Sequence, residues 1–287
     1  MSIYDPELDG QTKHGRAIAR ILSFCRGKKT LVAFSGGKDS QCCYHLCEEA
    51  GVPFTAQYSV TRFEPPELLR FIREHYPDVA FRRAYRRSLV EDIEGNGLPT
   101  RWSRWCCDAK HVRTEGYDIS IVGVRAEESA RRAKNWREFG FTQDHSAYVC
   151  PIIDWKTEDV WEYLHSKGLP HCSLYDEGWT RIGCVCCPLA TPAKMQREAE
   201  RWPKTASMLR LGSDRFVARM RAMGFVSKHG RPCPDWCKAE NPEEEFFKRW
   251  MITGQTLAPI RAVPKEEDAP CLFAGTGFSE SDGKEEE

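Results

Sequence analysis

Apolar residues recur at helical spacing through GRAIARILSFCRG (15–27), which ends at a glycine, so this stretch predicts a helix. TLVAFS (30–35) is instead a short unbroken apolar run of strand length. Lys38 to Glu49 then fits a helix, with Leu46 and its cysteines turned inward. VPFTAQYSV (52–60) predicts a second strand, and PPELLRFIREHY (65–76) a helix opened by proline. YDISIVGV (117–124) is the clearest strand of the chain, followed by a helix from about Ala126. TEDVWEYLHSKG (157–168) carries full helix punctuation: Thr157 to cap it, acidic residues in the first turn and Gly168 to end it. Beyond Pro188 the pattern is helical and lacks strong strands (TPAKMQREAERW, then SMLRLGSDRFVARMRAMG). Strands alternating with helices indicate an α/β fold, a mostly parallel twisted sheet flanked by helices, with a helical C-terminal portion.

The link between the first strand and its helix is Ser-Gly-Gly-Lys-Asp-Ser, residues 35–40. In a parallel sheet, ligands bind beyond the carboxyl ends of the strands, where this loop must sit. Gly36 and Gly37 let the backbone turn sharply and approach a ligand closely. Successive N–H groups at a helix N-terminus form an anion-binding nest. Lys38 adds a charge, and Ser35 and Ser40 add hydroxyls. Asp39 suits a phosphate site only with a magnesium ion between the two. The spacing is neither G-x-x-x-x-G-K-[ST] nor G-x-G-x-x-G.

Charge and composition change the picture in two ways. Lysine plus arginine balance aspartate plus glutamate, 42 against 42. Net charge therefore gives no general argument for nucleic acid, but arginine crowds the middle (81–87, 101–105, Arg125, 131–134) and the end is acidic. Arginines near a phosphate loop are candidate anion ligands. Fourteen cysteines are many for a chain whose polar, acidic start is unlike a secretory signal and which has no membrane-length apolar run. A cytoplasmic protein that uses thiols for metal or sulfur chemistry is expected. Cys106 and Cys107 are adjacent in RWCCDAKHV, and Cys184 and Cys187 form a C-x-x-C in RIGCVCCPLA. Soft thiolates so spaced favour zinc or an iron–sulfur cluster assembled by the fold. Cys25, Cys42, Cys43, Cys47 and Cys150 read as buried inert thiols.

The loop matches the pyrophosphate loop of N-type ATP pyrophosphatases, in the adenine nucleotide alpha-hydrolase superfamily. GVRAEESARR (123–132), PIIDWKTEDVWEYL (151–164) and LPHCSLYDEGWTRIGCVCCP (169–188) extend the resemblance to the phosphoadenosine phosphosulfate (PAPS) reductase family over about residues 28–190. The apolar pattern and composition indicate an N-terminal helical segment (1–27), a helical portion (191–263) and an acidic tail (264–287) expected to be disordered; the resemblance implies a nucleotide-binding domain (28–190). It implies nucleotide binding by Ser35, Gly36, Gly37, Lys38, Asp39, Ser40, Gly123 and Arg125, with Lys38, Asp39 and Arg125 catalytic. It also implies a [4Fe–4S] cluster on Cys106, Cys107, Cys184 and Cys187, with Cys186 an extra thiol that leaves the ligand assignment open.

Two departures stand out. The intact SGGKDS is typical of members that cleave ATP, and the reductases' terminal E-C-G-[LI]-H is missing; Cys271 sits in APCLFAGTG instead. HGRPCPDWCK (229–238) offers Cys233 and Cys237 near His229, as a mobile thiol, a small metal site or neither. The expected function is Mg²⁺-dependent use of ATP to adenylate an acceptor, followed by sulfur transfer. The alternatives are a thioredoxin-linked reductase of PAPS or adenosine phosphosulfate, and a non-catalytic nucleotide-binding partner in a modification or defence complex. Candidate partners are a cysteine desulfurase or thioredoxin, a nucleic-acid acceptor and a second copy of the chain, with no membrane.

Overall fold

The computed structural model describes residues 2–84, 87–110, 114–224 and 235–254. Helix α1 (Lys13–Cys25) is opened by Thr12, whose side chain accepts the Gly15 N–H. Strand β1 (Thr30–Ala33) leads through the SGGKDS loop into α2 (Lys38–Glu49). Strand β2 (Phe54–Val60), helix α3 (Pro66–His75) and strand β3 (Ala80–Arg83) follow. Helices α4 (Leu89–Asn96) and α5 (Trp105–Lys110) precede β4 (Ile119–Ile121). The helix expected from Ala126 is a 3₁₀ turn at Ala126–Glu128 and then α6 (Ala130–Asn135). Strands β5 (Phe139–Phe141) and β6 (Ala147–Val149) complete the sheet.

The sheet order is β3-β2-β1-β4-β6-β5. All neighbours run parallel except the edge pair β5–β6, a short antiparallel ribbon. β1 pairs with β2 on one side, Thr30 against Phe54, and with β4 on the other, Thr30 against Ile119. The chain thus changes direction across the sheet at β1, and the crevice past its carboxyl end is where such folds take ligands. Leu31, Val32, Ile119, Ile121 and Val149 form the middle of the core. Cys42, Cys43, Leu46 and Cys47 on α2 are buried against it, so these thiols serve as small apolar side chains.

Helix α7 (Thr157–Ser166) packs on α2, but Thr157 is its first residue rather than its cap. Asp159 accepts the Lys156 N–H at 2.6 Å, while the Thr157 N–H and hydroxyl donate to Glu127. Helices α8 (Pro192–Arg201), α9 (Pro203–Ala222) and α10 (Pro242–Thr253) form the C-terminal layer. α9 lies tight on α4 because Gly212 has no side chain: a Cβ there would stand 2.7 Å from Ile93. The Trp250 indole N–H reaches the Pro99 carbonyl at 2.6 Å, fixing α10 to the segment before the paired cysteines. The tail from 264 lies outside the described residues. No helix among the described residues is long and apolar enough to cross a membrane.

Candidate functional site

Ser35 to Ser40 sit at the carboxyl end of β1, and three of their backbone N–H groups face hydroxyls. Ser35 N–H donates to Ser40 Oγ at 3.1 Å, Gly37 N–H to Ser35 Oγ at 3.4 Å and Lys38 N–H to Tyr175 Oη at 3.0 Å. Gly36 has φ +71°, and a Cβ on it would lie 2.7 Å from Ile72. Only glycine takes that conformation and that space together. Gly37 caps α2 without any side chain, so the first turn of the helix presents its N–H groups to whatever occupies the loop.

Lys38 is buried, with Nζ 3.0 Å from Asp39 Oδ2. Asp39 Oδ1 accepts from Arg125 Nε at 2.6 Å, and Arg125 reaches Glu127 at 2.7 Å. Arg125 is 3% exposed, so its guanidinium is held by carboxylates inside the site rather than free at its rim. Gly123 permits this arrangement: a Cβ there would press on the Asp39 carbonyl at 2.9 Å. The loop residues, Gly123 and Arg125 therefore converge. Asp39 is already paired with two cations and does not by itself make a magnesium site. Mg²⁺ at such a place takes most of its oxygens from nucleotide phosphates and water.

The four cysteines singled out by spacing also converge. The Cys106 thiol is hydrogen-bonded to Cys107, and Cys184 and Cys187 lie in the neighbourhood of that pair. The hydrogen bond with Cys106 lowers the pKa of the Cys107 thiol, with Arg104 and Lys110 adding to it against burial. Burial raises the Cys184 and Cys187 thiols. Among the described residues, no three His, Cys, Asp or Glu side chains are gathered closely enough to hold a metal ion. A tetrahedral zinc site would draw its sulfurs to about 3.8 Å apart, from Zn–S bonds of about 2.3 Å. As a donor set, four thiolates are of the kind that iron–sulfur clusters take.

Cys186 separates from this group. Its φ of +54° turns it away, its N–H donates to Glu198 at 2.7 Å and its Sγ lies 3.6 Å from the Met195 carbonyl. Burial pushes its thiol up to about 12.

Two side chains that the sequence reading passed over complete the site. Lys110 Nζ donates to Cys184 Sγ at 3.6 Å, and although burial opposes its charge, Cys184, Glu64 and Cys107 raise its pKa. Tyr175 caps the loop as described, and its own segment continues into Cys184. The Val185 N–H bonds to the Phe63 carbonyl at 2.6 Å, which sets the thiols beside the carboxyl end of β2. Loop and thiols thus both lie at the carboxyl end of the sheet.

Residues 29–190, more than half of the chain, match the phosphoadenosine phosphosulfate reductase domain. The chain belongs to this family. Among curated relatives of this PAPS reductase domain, an uncharacterised protein of Methanocaldococcus jannaschii is 28% identical over 206 residues, 65% of this chain and 48% of its own length. The adenosine 5′-phosphosulfate reductase of Oceanobacillus iheyensis is 32% identical over 150 residues, 50% of this chain and 62% of that protein. The chain therefore spans less than two thirds of either relative. Among solved structures, the phosphoadenylyl-sulfate reductase of Candida auris superposes with a TM-score of 0.45 at 14% identity, covering 58% of this chain and 87% of that one.

The other expectations meet the structure unevenly. The arginines of 81–83 lie on and beside β3, an edge strand that charged residues protect from pairing. Arg132 pairs with Glu128 on the surface of α6. His229, Cys233 and Cys271 lie outside the described residues; Cys237 sits in a 3₁₀ turn at Asp235–Lys238.

Proposed function

We propose that this PAPS-reductase-family protein binds ATP in the Ser35–Ser40 loop and uses it to activate an acceptor for sulfur transfer. One observation carries the reading. The segment 169–188 places the Tyr175 hydroxyl on the loop and Cys184 and Cys187 in the thiol group, so the two chemistries meet on one strand of chain.

Phosphate oxygens would replace the serine and tyrosine hydroxyls that now accept from the loop N–H groups. Lys38, released from Asp39, would lie against the β- and γ-phosphates, and Asp39 would share a magnesium ion with them. An acceptor oxygen would attack the α-phosphorus and expel pyrophosphate, with Lys38 and Arg125 opposing the charge that develops. A cysteine desulfurase would deliver a persulfide sulfur to the thiol side, where a dithiol reductant of the thioredoxin class would reduce it by two electrons to sulfide. That sulfide would attack the adenylated carbon and expel AMP together with the former acceptor oxygen. Cys106, Cys107, Cys184 and Cys187 would hold a [4Fe–4S] cluster, which would supply an iron site for a sulfur atom when one of the four thiolates gives up its iron. Lys110, next to Cys184, would offset the negative charge of the thiolates.

The second reading is reduction of adenosine phosphosulfate or PAPS with thioredoxin, favoured by the relative named as such a reductase. Anaerobically purified protein should contain iron and sulfide and release pyrophosphate from ATP, and Lys38→Ala should lower that release at least about a hundredfold, as loss of one preorganised charge does. Sulfite release from adenosine phosphosulfate with thioredoxin, in protein that yields no pyrophosphate from ATP, would replace the first reading by the second.

A further inference from the structure

On the segment that leads to the C-x-x-C lies a cleft of about 300 Å³ lined mainly by Gly178, Trp179, Thr180, Arg181, Lys194 and Arg197. That volume is at the small end of ligand pockets. Its walls are the approach to the C-x-x-C and the first turns of α8, with Arg181 three residues before Cys184. Three cations face the space, and few carboxylates answer them. Lys194 is 3.7 Å from Glu198, whose other oxygen accepts the Cys186 N–H. Glu177 is occupied by Arg201, at 3.0 and 3.1 Å, and by the Trp179 indole N–H. Arg197 donates to the Glu177 backbone carbonyl at 3.5 Å and is drawn to the Glu177 carboxylate at longer range.

Arg197 is also held in place: its guanidinium stacks 4.1 Å over the Trp179 ring. Trp202 stands 5.1 Å from the same indole, and Trp179 is 7% exposed. Both neighbours cover the aromatic surface, so no face remains on which a base could stack. The cleft therefore reads charge rather than a ring. Two exposed guanidiniums and an ammonium around a small space match a tetrahedral, multiply charged oxyanion, which arginine forks bind in a bidentate way.

We propose that this cleft binds a phosphate group of the sulfur acceptor, placing the acceptor on the approach to the C-x-x-C. Only the word acceptor rests on the functional reading above; the affinity for phosphate stands without it. The phosphate can belong to a small phosphate ester or to a nucleic-acid strand, and the two sources are separable by experiment.

Full-length protein would be titrated with inorganic phosphate by calorimetry and with a short labelled single-stranded RNA by fluorescence anisotropy, across a range of salt. The double variant Arg181→Gln/Arg197→Gln is expected to weaken phosphate binding about tenfold or more, and Arg181→Lys/Arg197→Lys to restore part of it. If the cleft takes a strand, the double Gln variant also lowers the salt slope for RNA by about 1.4, at about 0.7 per lost contact. Loss for phosphate alone assigns a small phosphate ester. Binding of both probes within about twofold of the parent overturns the proposal. Circular dichroism confirms folding of the variants. ATP affinity, measured in parallel on the parent and on Lys38→Ala, reports on the loop separately. A parent that binds no ATP would end the functional reading and leave the cleft result intact.

Discussion

At the scale of single residues, the site depends on positions where one atom too many is costly. Gly36 combines φ +71° with side chains 2.7 Å from where a Cβ would sit. Gly36→Ala should cost about 1–2 kcal/mol for the left-handed backbone alone, with the clash against Ile72 and Leu68 adding to it. Denaturant unfolding measures the loss, and ATP binding should fall with it. Asp92 on α4 carries a different kind of cost. Burial pushes its carboxyl up to about 6, although Arg62, 3.9 Å away, pulls the other way. A carboxyl with a raised folded pKa favours the native state in its protonated form. Its contribution is therefore full below the unfolded value near 4 and is lost as pH rises through about 6. Between pH 5 and pH 8 the protein should lose on the order of 1 kcal/mol from this group. Asp92→Asn should remove that pH dependence, as paired thermal melts would show; equal slopes for both proteins would exclude Asp92 as its source.

At the scale of elements, the thiol group is braced from behind by α10. Gly254 ends that helix in the left-handed region, and a Cβ on it would stand 2.3 Å from the Pro188 carbonyl, one residue after Cys187. The Gly254 carbonyl also accepts the Arg101 N–H at 3.3 Å, on the segment that leads to Cys106. One glycine thus touches both cysteine-bearing stretches. Gly254→Ala should displace them against each other and lower the iron content of anaerobically purified protein severalfold, while ATP affinity stays near the parent value. Unchanged iron would mean that the two stretches adjust without α10.

At the scale of the whole molecule, the C-terminal helices share the core of the sheet domain. Phe216 of α9 lies 3.2 Å from where a Cβ on Gly97 would be, and Trp236, Phe246 and Trp250 are buried. A fragment ending at 190, where the family match ends, would expose α4 and the back of the cysteine segment. Several large apolar side chains lose their partners together, at about 1.5–3 kcal/mol each, against a typical net stability of about 5–15 kcal/mol. That fragment should be unfolded or aggregated by circular dichroism and gel filtration. A monomeric fragment with a cooperative melt would show that the sheet domain stands alone.

Much of this was legible along the chain because it is local. Helix α2 runs from Lys38 to Glu49 as its pattern indicates, and SGGKDS declares its loop through residue chemistry alone. The PAPS-reductase resemblance likewise rests on short ordered motifs. Strands β3, β5 and β6 were not legible, since three or four residues are too few to show a period, and pairing across the sheet decides them. Nor could spacing separate Cys186 from Cys184 and Cys187. Cys184 and Cys187 join the pair at 106–107, while a positive φ and a bond to Glu198 turn Cys186 into the core. Tyr175 and Lys110 acquire their places in the site in the same way, through contacts 137 and 74 residues away in sequence. Sequence by itself determined which chemical groups the protein carries and which short segments present them. Tertiary structure alone decided which thiols meet, because side-chain direction depends on backbone dihedrals and long-range packing that no local pattern encodes.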